Sequence, residues 1–337
     1  MRVALDAAPL SVPTGGITRY LVELHRALET AFPSDDFLLM RPGTGFLDTK
    51  WWSCGLPLHL IRRNVNLFHG VDFAVPYLPV KPSVMTVHDM SPFRTDRAPA
   101  TSPRISRRTP WMIRLGLATM VVTPTEAIRK EAISLWRLQP SRVVAVPLAA
   151  SPHFQPAGNK PEGTPYFLFV GTREPRKNLH RLVEAWRLLR RTHPVDLVLA
   201  GRQREDFSPL PAEPGLRLLD AVDEAALPGL YSGALALVFP SLYEGFGLPV
   251  LEAMQCGTPV LASRDPAITE VTAGAGIALD AEDVPAWASA MKAIWENMSL
   301  RTQLTEAGLA RARAFSWRQT AVSTRDVYQE AIRRFGG

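Results

Sequence analysis

The stretch ALALVFPSLYEGFGLPVLEAMQCG, residues 234–257, decides the fold. Its opening run is apolar without interruption up to Pro240, the pattern of a parallel strand buried on both faces. In sheets of such strands, ligands bind beyond the carboxyl ends, so LYEGFG reads as a loop at the edge of a site. Pro249 suits the first turn of a helix, and LPVLEAMQCG reads as that helix, closed by Gly257. Gly245 and Gly247, flanking Phe246 and followed by Leu248, let backbone N–H groups approach a ligand with no Cβ in the way. Those amides and the helix start suit anionic oxygens such as phosphates. Glu252 is expected in the first helical turn, where its carboxylate accepts two hydrogen bonds from a vicinal diol such as a ribose. Glu244 precedes the glycines, where a second polyol or a developing cation would lie.

Outward from this stretch the same alternation recurs. Short apolar runs occur at 2–7, 37–40, 66–70, 83–89, 120–124 and 142–147, with helical patterns at 17–29 and 125–136. Residues 149–165 are dense in Pro and Gly and lack periodicity, which predicts a linker. A second series follows: YFLFVG, a helix from Asn178, DLVLAG, LRLLD, a helix near 224–232, then the decisive stretch, PVLAS and GIALD, with helices dominating from Asp283. The expected class is α/β, with two doubly wound Rossmann-like domains and a cleft between them. The expected bounds are 1–158, 159–316 and a terminal helix, 317–337, packed on either domain.

The chain has 337 residues, 46% hydrophobic and 21% charged, an ordinary globular composition. Two distant cysteines, Cys54 and Cys256, make no disulfide framework and fit a reducing cytosol. The apolar run at the N-terminus is too short for a secretion signal, and no run reaches the ~18 residues of a membrane span. The net charge of +6 is uneven: residues 1–158 hold 18 Lys and Arg against 11 Asp and Glu, and the remainder 20 against 21. A basic first half can meet nucleic acid, an anionic membrane or a phosphorylated substrate. The interleaving of aromatic and basic residues found in nucleic-acid modules is missing, so nucleic acid is not an expected partner.

In GTREPRKN, 171–178, Arg173, Arg176 and Lys177 gather positive charge at a strand end, where a diphosphate would sit. TVHDM, 86–90, ends a strand with His88. PTGGITRY, 13–20, opens a helix with Gly15 and Gly16 but lacks the G-x-G-x-x-G fingerprint of dinucleotide sites. No D-x-D motif and no His/Cys cluster occurs, so Arg and Lys, rather than a metal, are expected to neutralise a leaving diphosphate. Within 102–118, Arg104, Arg107 and Arg108 share a helix face with Trp111 one turn on, a pattern suited to an anionic membrane surface, although Pro110 is expected to interrupt the helix.

SLYEGFGLPVLEAMQCGTPVLAS resembles the signature of retaining GT-B glycosyltransferases of family 4, two Glu separated by seven residues. GGITRY, FHGVDFAVP, TVHDMSPFR, VVTPTEAIRKE, VPLAASPHF, FLFVGTREPRKNLHRLVEAW and LVLAG match family landmarks in order. The resemblance implies the GT-B fold and a hexosyltransferase using a GDP-, dTDP- or UDP-sugar, closest to mannosyl- and rhamnosyl-type enzymes of bacterial surface polysaccharide. It implies that Lys177 and one Arg, Arg173 or Arg176, hold the donor diphosphate, that His88 contacts the donor sugar, and that Gly15 and Gly16 face the donor phosphates. It implies that backbone near Val222 reads the base, that Glu252 holds the ribose, and that Glu244 faces the sugar as nucleophile or charge stabiliser. The implied acceptor is an oligosaccharide, lipid-linked, used by a cytoplasmic enzyme peripheral to the inner membrane face. Competing readings are a phosphorylase or sugar-nucleotide epimerase on the same fold, and a catalytically silent sugar- or nucleotide-binding subunit.

Overall fold

The computed structural model describes residues 1–11, 15–94, 103–158 and 163–335. The chain divides into two compact units, Met1–Leu148 with Ser316–Gly337, and Ala149–Phe315. The first boundary thus falls ten residues before the expected one. Residues 149–158 belong to the second unit because Phe154 is fully buried there and Gln255 Nε2 donates to the carbonyls of Ser151 (3.0 Å) and Phe154 (2.8 Å).

The first unit holds a parallel sheet of β1 (Arg2–Asp6), β2 (Asp36–Met40), β3 (Leu67–Gly70), β4 (Ser83–Thr86), β5 (Met120–Thr123) and β6 (Val143–Ala145), in the order β2-β1-β3-β4-β5-β6. Its helices are α1 (Gly16–Ala31), α2 (Leu56–Arg62), α3 (Pro103–Arg114) and α4 (Glu126–Trp136). β3 and β4 are buried along their whole length, which is why they read as unbroken apolar runs. α3 runs through Pro110 instead of breaking there. Thr109, Met112 and Ile113 anchor it, buried, and Thr109 Oγ1 donates to the Phe73 carbonyl at 3.1 Å.

The second unit holds β7 (Tyr166–Val170), β8 (Asp196–Ala200), β9 (Leu216–Leu219), β10 (Ala236–Phe239), β11 (Val260–Ser263) and β12 (Ile277–Leu279). All are parallel, in the order β9-β8-β7-β10-β11-β12. Its helices are α5 (Leu179–Arg190), α6 (Leu227–Gly233), α7 (Leu248–Gln255), α8 (Pro266–Thr272), α9 (Val284–Glu296) and α10 (Met298–Ala312). Every strand of the two series lies where the apolar runs predict it.

The last helix, α11 (Trp317–Phe335), packs in the first unit. Thr320 Oγ1 donates to the Pro147 carbonyl (2.7 Å), and Arg325 Nε pairs with Asp35 (2.7 Å). Deeper in, His69 lies 2.7 Å from the Tyr328 hydroxyl through Nδ1 and 2.7 Å from Thr86 Oγ1 through Nε2. The Tyr20 hydroxyl closes the chain at 3.1 Å from the same Thr86 oxygen. Burial, with the nearby His88 adding to it, pushes the His69 imidazole down to about 3, so it is neutral at ordinary pH.

Candidate functional site

Open parallel sheets bind ligands where the strand order reverses, because adjacent loops there depart to opposite faces. In the second unit that point lies between β7 and β10. The β7 strand passes through Gly171 into a short turn, Pro175–Lys177, and β10 passes into residues 241–247. The two loops are stitched together: the Leu242 amide donates to the Arg176 carbonyl, and Arg176 Nη1 to the Tyr243 carbonyl, each at 2.8 Å.

This stitching brings Lys177 Nζ onto Glu244 Oε1, with Arg176 Nη1 at 3.0 Å from Glu244 Oε2. Both carboxylate oxygens are therefore engaged by cations. Burial alone raises a carboxyl, but the charges of Arg176 and Lys177 outweigh it and hold Glu244 down to about 2. Glu244 is thus an anion with no proton to give near neutrality. Burial lowers Lys177, and Glu244 works against that. Lys177 also lies over the Phe239 ring, 5.0 Å from its centroid. Arg176 Nε reaches Glu174 at 2.7 Å, and Arg204 Nη1 reaches the same carboxylate at 2.6 Å.

Of the two arginines left open by the sequence, Arg176 stands beside Lys177 and Glu244. Arg173 turns toward the sheet edge, where Nη2 donates to Asp220, just past β9; the guanidinium is buried and its Nε and Nη1 have no partner among the described residues. Val222 lies two residues past Asp220, half-buried, ahead of the turn capped by Asp223.

α7 starts at Leu248, with Gly247 as its cap at φ +88°, a left-handed conformation that glycine takes without cost. The Thr258 amide bonds the Ala253 carbonyl and the Gly257 amide that of Met254, a Schellman close with Gly257 at φ +73°. Gly245 and Phe246 are buried, and the Phe246 ring packs edge-on against Phe315, 5.9 Å between centroids. Glu252 is the fifth residue of α7, in its second turn rather than the first. It is buried, and Tyr231 of α6 donates its hydroxyl to Oε2 at 2.7 Å.

Sequence reasoning missed two supports. Asp265 caps α8, accepting from the amides of Ala267 (2.9 Å) and Ile268 (3.2 Å), and also from the Glu244 amide (3.3 Å). Burial, with the Glu244 charge adding to it, raises Asp265 to about 6. The dipeptide Asp265-Pro266 ahead of an apolar run is an N-cap signal that could have located it. Tyr231, the partner of Glu252, carries no such local signal.

In the first unit the strand order reverses between β1 and β3. β1 ends on Asp6, and Gly15 and Gly16, exposed, open α1. After β3 the chain doubles back so tightly that a Cβ on Gly70 would meet the Ala74 carbonyl oxygen at 1.6 Å. His88 lies just past β4; its Nε2 donates to the Val71 carbonyl at 2.8 Å, and its ring meets Tyr20 edge-on at 4.9 Å. Among the described residues no group of three or more His, Cys, Asp or Glu could hold a metal ion.

Comparison with known proteins agrees with this geometry. The family described as "Glycosyl transferases group 1" matches residues 151–311, nearly the whole second unit. An "O-antigen chain mannosyltransferase B" of Escherichia coli is 30% identical, the match covering 98% of this chain and 100% of that one. Among solved structures, a sucrose-phosphate synthase from Thermosynechococcus elongatus superposes with a TM-score of 0.74 at 20% identity, covering 98% of each chain. The Anabaena protein HepE, solved in complex with UDP and glucose, gives 0.71 at 16%, covering 96% of this chain and 98% of that one. The two parallel sheets are those of the GT-B fold. The chain belongs to the group 1 glycosyl transferases.

Proposed function

We propose that this protein is a retaining, metal-independent hexosyltransferase. Its donor is a nucleotide sugar of mannose or rhamnose type, and its acceptor a lipid-linked saccharide of bacterial surface polysaccharide. The observation that carries this reading is the Glu244 carboxylate held between Lys177 and Arg176 at the switch point beside the start of α7. Two cations around one carboxylate are a charge reserve for a diphosphate. Its oxygens compete for Lys177 and Arg176, and as the leaving group departs these cations take up its growing charge, work a metal does in other transferases. The Gly245–Leu248 backbone supplies further donors, and Glu252, held by Tyr231, accepts from the ribose. Glu244, anionic throughout, stabilises positive charge at the sugar ring or attacks it. The name of the E. coli relative supports a mannosyl donor and an O-antigen acceptor, and HepE's ligands support a nucleotide sugar.

The acceptor's lipid is proposed to place the enzyme on the inner face of the cytoplasmic membrane. No helix among the described residues is long and apolar enough to cross a membrane. Contact would be peripheral, through α3.

The test is a thermal-shift screen with GDP-, dTDP-, UDP- and ADP-sugars, with EDTA present, alongside Glu252→Ala. A ligand at a hundred times its Kd adds about 2.7 kcal/mol. One donor should raise Tm, and the variant should lose the shift. Transfer with that donor should then survive EDTA and give a product of unchanged anomeric configuration by NMR. Inversion, or activity restored only by Mg²⁺ or Mn²⁺, refutes the mechanism. No donor response in folded protein refutes the function.

A further inference from the structure

The charges around Glu244 do not end at the two cations that hold it. Glu174, which opens the Pro175–Lys177 turn, is 6% exposed, and both of its carboxylate oxygens are engaged. Oε1 accepts from Arg176 Nε at 2.7 Å and Oε2 from Arg204 Nη1 at 2.6 Å. Arg204 in turn sets Nε and Nη2 on the two oxygens of Asp206, fork to fork. The result is a row of alternating sign: Asp206, Arg204, Glu174, Arg176, Glu244 and Lys177. Its members come from the loops after β8, β7 and β10.

The backbone fixes where Arg204 stands. Its amide donates to the Arg173 carbonyl at 3.0 Å, and the Arg173 amide donates to the Arg202 carbonyl at 2.8 Å. These bonds require the exits of β7 and β8 to touch. Gly201 permits it, since a Cβ there would meet the Gly171 carbonyl oxygen at 2.1 Å.

Glu174 acts on Arg176 in two ways, and they oppose each other in a reaction that releases a diphosphate. Its hydrogen bond to Nε fixes the plane of the guanidinium, whose Nη1 reaches the Tyr243 carbonyl at 2.8 Å and Glu244 at 3.0 Å. Its charge offsets that of Arg176, which Glu244 already offsets from the other side. At such short range in a buried site these Coulomb interactions are strong. Arg204 balances the Glu174 charge at the second oxygen and leaves the hydrogen bond at the first in place.

We propose that Glu174 and Arg204 are positioning residues for transfer: Glu174 holds the Arg176 guanidinium in the plane that meets the departing diphosphate, and Arg204 neutralises Glu174 so that the charge of Arg176 stays available to that leaving group. This rests on the reading of the protein as a transferase that releases a nucleoside diphosphate.

The experiment compares Glu174→Gln, Arg204→Gln and the double variant with the wild type, each checked for its fold by Tm. Calorimetry with GDP, UDP, dTDP and ADP, and with the nucleosides alone, gives binding. Release of nucleoside diphosphate from the matching nucleotide sugar gives kcat. Arg204→Gln should weaken the nucleoside diphosphate about tenfold, the effect of one uncompensated charge beside the site, and leave the nucleoside unchanged. Glu174→Gln keeps the shape and loses the charge; it should bind the diphosphate no more weakly than the wild type and lower kcat about tenfold. In the double variant binding should return to the wild-type level while kcat stays low, because the carboxylate that Arg204 offsets is gone. Lost packing alone would weaken nucleoside and diphosphate together, and a second substitution would not reverse it. Unchanged diphosphate binding in Arg204→Gln, no recovery in the double variant, or an unchanged kcat in Glu174→Gln overturns the inference. Where the wild type binds a diphosphate and turns over its sugar, such results refute this inference alone. A wild type that does neither refutes the proposed function, and the inference falls with it.

Discussion

Lys177 and Glu244, 67 residues apart in sequence, form a buried ion pair at the switch point of the second sheet. Removing one partner of such a pair strands the other charge, which typically costs about 3–5 kcal/mol. Arg176 stays at 3.0 Å, so Lys177→Met should fall at the lower end, and Glu244→Gln, which leaves two cations facing each other, higher. The double variant should recover part of the sum. Urea unfolding of all four proteins measures this coupling, and additive losses would mean that the pair is not the unit described. Transfer should drop by about 10²–10³ in Lys177→Met, the scale of losing one charge-stabilising donor.

The buried His69 makes stability depend on pH. Its folded value, about 3, lies below the unfolded 6.5, so below 6.5 the unfolded chain takes up a proton that the native state refuses. Stability is fully present above 6.5 and falls toward pH 3, by up to about 1.4 kcal/mol per unit. Asp6 and Asp265, both raised to about 6, act with the opposite sign between 6 and 3.8, so the total slope is shallower. The difference between wild type and His69→Asn isolates the histidine. Chemical denaturation at pH 6.5, 5.5 and 4.5 should show the wild type losing its lead over the variant as pH falls. A constant gap would refute it.

Tyr231 acts on Glu252 through one hydrogen bond of 2.7 Å to a carboxylate that is 1% exposed. Tyr231→Phe should cost about 1.5–3 kcal/mol of stability, the range for a hydrogen bond to a charged group. If Glu252 orders the donor's ribose, the same change should reduce the donor-induced rise in Tm while leaving the fold intact. A lowered baseline Tm with an undiminished donor response would make Tyr231 a structural support only.

The fold was legible because parallel strands buried on both faces leave unbroken apolar runs, as in β4 and β10, where all positions are buried. The site was legible where several constraints fall within a few residues: Glu244, two glycines and a helix start. It was illegible where a contact depends on side chains converging from distant segments. Arg173 and Arg176 look alike in GTREPRKN, yet one turns to Asp220 past β9 and the other to Glu244 past β10. Glu252 was placed one turn early although the helix start at Leu248 was read correctly: as the fifth residue of α7 it lies just past a first turn of 3.6 residues.

Of the arginines expected on α3, the side chain of Arg104 lies outside the described residues. Arg107 and Arg108 are joined by Arg114, and Trp111 and Leu115 add two large apolar side chains to one exposed face of α3 and its exit. Arg107, Arg108, Trp111, Arg114 and Leu115 follow the three- and four-residue spacing of a helix and its first exit residue, and all are exposed, Trp111 at 62% and Leu115 at 70%. Arg108 also donates to the Tyr77 hydroxyl at 2.8 Å, next to the exposed Leu78. A basic rim around apolar residues suits anionic headgroups above and acyl chains below. Each arginine near such a surface contributes about 1 kcal/mol, so replacing all three with Gln should weaken binding on the order of 100-fold. Trp111→Ser with Leu115→Ser should weaken it too, but without the salt dependence of the charge variant. Sedimentation with vesicles of phosphatidylglycerol, compared with pure phosphatidylcholine, measures both. Equal binding to the two vesicle types, or no loss in either variant, would remove α3 as the membrane contact.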